Sequence, residues 1–156
     1  MLAHLRFAGP LGPKDPFERA IVELEKGNPA AAVTGFTAML QSARGNDERA
    51  RIYNKRGVAH VRSGQREDAL RDFSEALALV PRFAPALANI GNLLLEDGAF
   101  DEAIAHYEAA IRADESYAIA HLNLAVAYRK TGRRAAAVRE LRTAHRLEGR
   151  GIFRRR

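Results

Sequence analysis

A period of 34 residues is what most constrains this chain. Gly57 and Gly91 stand 34 apart and Ala125 follows at the same interval. Gly64, Gly98 and Gly132 keep it, as do Ala69, Ala103 and Ala137, and Ala76, Ala110 and Ala144. Phe73, Tyr107 and Leu141 each stand four residues beyond the first of these alanine sets. Positions that hold phase over three copies mean one supersecondary unit recurring, each copy burying on its neighbour the apolar face it cannot bury alone.

Each copy divides into two apolar stripes at helical spacing. In residues 50–83, Ile52, Tyr53, Gly57, His60 and Val61 form the first, and Ala69, Leu70, Phe73, Ala76 and Leu77 the second. Ser63-Gly64 between them supplies a helix stop, because glycine enters the left-handed region at little steric cost. Pro81 disfavours helix in the residue before it, and Asp101 is expected to cap the second helix of the next copy. Gly57, Gly91 and Ala125 are expected to face Ala69, Ala103 and Ala137 across each hairpin, so that the paired helices approach closely. The pattern predicts eight helices near 14–26, 29–43, 47–63, 66–79, 84–97, 100–113, 118–131 and 134–148. Pro29 suits a first helical turn, where its missing N–H is not needed.

These copies resemble the tetratricopeptide repeat, whose pattern is Trp-x2-Leu-Gly-x2-Tyr, then Ala-x3-Phe, Ala and Pro. One copy reads Tyr53-x2-Arg56-Gly57-x2-His60, Ala69-x3-Phe73, Ala76 and Pro81. The next reads Leu87-x2-Ile90-Gly91-x2-Leu94, Ala103-x3-Tyr107 and Ala110, with Glu115 where proline belongs. The last reads His121-x2-Leu124-Ala125-x2-Tyr128, Ala137-x3-Leu141 and Ala144. A degenerate first copy keeps Gly27, Ala32 and Phe36. The resemblance implies an all-α, right-handed superhelical solenoid of about four helix-turn-helix hairpins. The repeats then fall at about 13–46, 50–83, 84–117 and 118–148. Residues 1–12, expected to be a flexible arm, and 149–156, expected to be a basic tail, lack a periodic apolar face.

The resemblance further implies that the first helix of each pair lines a concave groove and that the protein is a non-catalytic interaction module, an adaptor or scaffold. Residues of those helices free of packing are the candidate peptide contacts: Arg51, Asn54, Lys55, Val58 and Arg62 in one copy, Asn89, Asn92 and Glu96 in the next, then Asn123, Val126, Arg129 and Lys130. Lys55, Asn89 and Asn123 occupy equivalent turns. Asparagine carries both a donor and an acceptor, so a row of them can pair with an extended peptide backbone, as in some groove-binding members of the family. Other members clamp a C-terminal carboxylate of a chaperone, but only Asn89 matches that clamp, so chaperone-tail binding is not expected. The cations outnumber Glu96, which favours an acidic peptide.

Charge is uneven along the chain. Residues 118–156 hold eleven Lys or Arg against two acids, while the whole chain is +6. Arg133, Arg134, Arg139, Arg142 and Arg146 surround the last helix, and a terminal repeat needs a polar outer face. Arg154, Arg155 and Arg156 lack that explanation and could bind anions. A second reading is therefore an accessory protein docking on RNA or an anionic membrane surface through this end. Nucleic acid is the weaker partner, because Phe153 is the sole aromatic interleaved with the terminal arginines. Apolar surface left on the last hairpin would instead permit a homodimer through that terminal repeat.

Other functions find little support. The five histidines are scattered and none pairs at i, i+3 or i, i+4, so no metal site is expected. No glycine run resembles a phosphate loop, and Glu67-Asp68 and Asp101-Glu102 suit helix N-termini rather than acid–base chemistry. No cofactor and no catalytic residue is assigned. Cysteine is absent, the longest uncharged stretch (27–43) is too polar to span a bilayer, and the start lacks the apolar run of a secretory signal. A cytoplasmic location is the resulting expectation.

Overall fold

The computed structural model describes residues 15–153, the last four of them as backbone only. Eight helices follow one another: α1 (Pro16–Glu25), α2 (Pro29–Leu40), α3 (Asn46–Arg62), α4 (Arg66–Leu79), α5 (Ala84–Glu96), α6 (Phe100–Ala113), α7 (Ala118–Lys130) and α8 (Arg134–Phe153). They pair in sequence as four antiparallel hairpins, α1/α2, α3/α4, α5/α6 and α7/α8.

The turns inside the hairpins follow from single residues. Gly27, Gly64, Gly98 and Gly132 take φ of 82°, 73°, 77° and 76°, and are the only positive φ values among the described residues. A side chain at any of them would be strained. Between hairpins the chain leaves the helix differently: Val80 before Pro81 is extended, and Asp114 takes the same conformation without a following proline.

Packing fills each of the first three hairpins from one aromatic outward. Phe36, Phe73 and Tyr107 are fully buried, as are Ala32, Ala69 and Ala103 at the start of each second helix. Burying each aromatic ring contributes about 1.5–3 kcal/mol. The glycines at 57 and 91 face these rings rather than the alanines expected opposite them: a Cβ on Gly57 would lie 2.6 Å from the Phe73 ring, and one on Gly91 2.7 Å from the Tyr107 ring. The ring is the bulkier neighbour, so it sets the need for glycine.

Stacking curves the array. Among the described residues α3 touches α5 and α5 touches α7, whereas no comparable contact joins α4 to α6 or α6 to α8. The first helices are therefore the closer-spaced set and line the inner side.

Two expectations fail at helix ends. Asp101 does not cap α6: the cap position is Ala99, and Asp101 lies with Glu102 in the first turn, where the carboxylates favour the helix dipole. α8 does not stop at Glu148 but continues through Gly149 to Phe153. Gly149 keeps a negative φ, and none of residues 150–156 is a proline that would end the helix. The expected 149–156 tail is therefore helical over its first five residues. Arg154, Arg155, Arg156 and the 1–12 arm lie outside the described residues.

Candidate functional site

The inner side is held by an asparagine network. Asn89 Nδ2 donates to Asn54 Oδ1 at 2.9 Å, joining α5 to α3, and Asn123 Nδ2 donates to Asn92 Oδ1 at 2.8 Å, joining α7 to α5. Tyr107 OH also donates to Asn92 Oδ1, at 2.8 Å. Burial, and secondarily the charge of Glu96, pushes the Tyr107 phenol far above its usual range, so it stays a donor. Asn54 is buried, while Asn89, Asn92 and Asn123 are half-buried. The side-chain oxygens of Asn89 and Asn123 accept no hydrogen bond among the described residues, and each amide is fixed in orientation by the bond it donates.

Several of the other expected contacts are engaged in the fold. Arg62 Nη1 donates to the Leu24 carbonyl at 2.8 Å and so ties α3 to the C-terminus of α1. Glu96 accepts from Arg66 Nη1 at 3.1 Å. Arg51 is exposed on α3 with its guanidinium 5.8 Å from the centroid of the Phe17 ring. Lys55 and Val58 are half-buried, and Lys130 is exposed. Val126 and Arg129 line a separate depression on the outer end of the last hairpin.

Two arrangements are not legible in the sequence. Arg56 stands where the repeat pattern expects leucine, and it forms a two-pronged pair with buried Asp72, Nε–Oδ2 2.8 Å and Nη2–Oδ1 2.7 Å. The hydrogen bonds to Asp72 raise the guanidinium pKa further above its ordinary value. His60, expected on a packing stripe, lies beside this pair, its Nε2 3.7 Å from Asp72 Oδ2. The second is Arg66, at the start of α4, which reaches the end of α5: it donates to the Leu93 carbonyl and to Asp97 Oδ2, each at 2.5 Å. Residue spacing alone gives no sign of either contact. Among the described residues no three metal-ligating side chains cluster, and no helix is long and apolar enough to cross a membrane.

The family description "Tetratricopeptide repeat" matches residues 50–83, and "TPR repeat" matches residues 91–132. Solved structures share the fold. MamA superposes with a TM-score of 0.69 at 22% identity, over 88% of this chain and 78% of that one. YrrB, described as a TPR protein with an unusual peptide-binding site, gives 0.62 at 23% identity over 86% and 68%. The second TPR of Spaghetti (RPAP3), bound to the HSP90 peptide SRMEEVD, gives 0.60 at 24% identity over 65% and 94%.

Proposed function

We propose, on the premise that this chain is a tetratricopeptide repeat protein, that it is a non-catalytic adaptor or scaffold whose inner side takes an extended peptide. The observation that carries this reading is the pair of oriented amides: Asn89 and Asn123 each spend an N–H on the neighbouring helix and keep an oxygen for a peptide N–H. Such contacts read the backbone and leave side-chain preference to the rim. There Arg51, Lys55 and Lys130 supply positive charge, while Glu96 is neutralised by Arg66, which favours an acidic segment. The RPAP3 domain and YrrB, similar in fold, are peptide binders by their descriptions, and this chain is read in the same class.

The test is a titration of the full chain with a short Glu-rich peptide and its Lys-substituted counterpart, followed through the side-chain amide signals of Asn89 and Asn123. The Glu-rich peptide should move both signals, and Asn89→Ala/Asn123→Ala should weaken its binding about tenfold, the loss expected for two backbone-directed hydrogen bonds. Unchanged affinity in the double variant, or equal binding of both peptides, would overturn the reading.

A further inference from the structure

The repeat supplies its own control for surfaces that lack a partner. Val138 is 47% exposed, although its equivalent 34 residues earlier, Ile104, is 5% exposed. Leu141 is 41% exposed against 0% for Tyr107, and Leu122 39% against 1% for Ala88. In the third hairpin these positions are covered by the first helix of the next one, α7, whose Ala120, Leu124 and Ala127 join the same core. On the fourth hairpin they line an open groove of about 560 Å³, with Val126 beside them and Arg129 and Arg134 at one end.

What shape and charge the groove accepts can be read from inside the molecule. Arg134 occupies the repeat position of Arg66, 68 residues earlier. Arg66 receives the C-terminal end of α5, which finishes in Glu96 and Asp97, through one carbonyl and both carboxylates. At the same position in the third hairpin stands uncharged Phe100, and the helix packed on that hairpin, α7, ends in basic Arg129-Lys130. Arginine at this position thus goes with an acidic incoming helix end. Among the described residues Arg134 and Arg129 form no ion pair.

We infer that the α7/α8 face is a docking site for an amphipathic α-helix of a partner protein, lying as α5 lies on α3/α4. Its apolar face would enter between Leu122, Val138 and Leu141, and its acidic last turn would meet Arg134. A helix C-terminus there adds the favourable end of its dipole. Copies of this chain fit poorly. Two such ends would bring Arg129 and Arg134 of each copy together, and the opposite end of the stack, apolar at Ala20, Ala31, Ala38 and Met39, adds Arg19 and holds its Glu23 on Lys26 and Asn28. The site is separate from the asparagine network and does not depend on it.

The probe is a helix-stabilised synthetic peptide of residues 84–98, the chain's own example of such a helix, titrated by fluorescence anisotropy into the full-length protein. Saturable binding is expected, weakened about tenfold by Arg134→Glu or Val138→Asp, both at surface positions. A peptide carrying Glu96→Lys and Asp97→Lys should recover most of its affinity on the Arg134→Glu protein, and Asn89→Ala/Asn123→Ala should change nothing. No saturable binding up to about 1 mM, or binding indifferent to all these charge changes, would overturn the inference. So would a wild-type dimer in light scattering that Val138→Asp converts to monomer, because the face would then belong to a second copy.

Discussion

Gly91 lies against the ring of Tyr107 so closely that a methyl group in its place would sit 2.7 Å from the ring edge. The Gly57–Phe73 pair repeats the relationship at 2.6 Å. At the same repeat positions the last hairpin has Ala125 and Leu141, a larger residue paired with a smaller one, and both line its open groove. Small and large residues therefore exchange volume across the hairpin. Gly57→Ala should destabilise by about 1–3 kcal/mol, the overpacking outweighing the better helix propensity of alanine. Adding Phe73→Leu should return part of that loss, as the fourth hairpin suggests. Urea denaturation of the two singles and the double checks it; strict additivity would argue against the volume exchange.

The Arg56–Asp72 pair yields a prediction of the opposite kind. Asp72 is 4% exposed, so removing its partner strands a carboxylate. Arg56→Leu, which installs the residue the repeat pattern calls for, should cost about 2–4 kcal/mol. Arg56→Leu/Asp72→Leu should recover most of it, because two apolar groups replace two charges together. Equilibrium unfolding of the three variants gives the coupling. A single Arg56→Leu that is neutral or stabilising would mean Asp72 finds water or His60 instead.

Legibility in the sequence follows the range of the interaction. The eight helices and their order are readable because each hairpin turn rests on one glycine with positive φ and each buried ring on one in-phase position, all local or periodic. The α8 extension is hidden because Gly149 and Gly151 resemble the stop glycines, yet a glycine ends a helix only where the chain turns. The candidate site is less legible. Lys55, Asn89 and Asn123 share a turn of their helices, but Asn54 is buried and Arg62 is engaged by Leu24 through neighbours 35 and 38 residues away. Likewise, Arg66 looks like a surface arginine until the next first helix, α5, is placed.

Tyr107 gives a pH-dependent prediction. Burial holds its pKa above the ordinary 10.0, so the unfolded chain releases this proton first. The stability it contributes is whole below about pH 10 and is lost as pH climbs from there toward the folded pKa. Tyr107→Phe should lose about 1 kcal/mol at neutral pH with the bond to Asn92. Its disadvantage should shrink above about pH 10, because phenylalanine cannot ionise. Tyr117 and Tyr128, also raised chiefly by burial, leave a residual alkaline slope in the variant. Thermal melts of both proteins between about pH 8 and about pH 12 test it; a gap that widens with pH would contradict the sign.

Two glycines separate the roles that resemble each other in sequence. Gly98 takes a φ of +77°, and a Cβ added there would meet nothing within 4 Å, so space is free but the backbone is not. Gly98→Ala should therefore cost about 1–2 kcal/mol from left-handed strain alone. Gly149 sits inside α8 at negative φ, again with open space around it. Gly149→Ala should stabilise by up to about 1 kcal/mol, since alanine is the better helix former and gives up less backbone entropy on folding. Helical content by circular dichroism should rise with the second change and not with the first. If Gly149→Ala destabilised instead, the helix would end near Glu148 in solution and the chain beyond it would turn away.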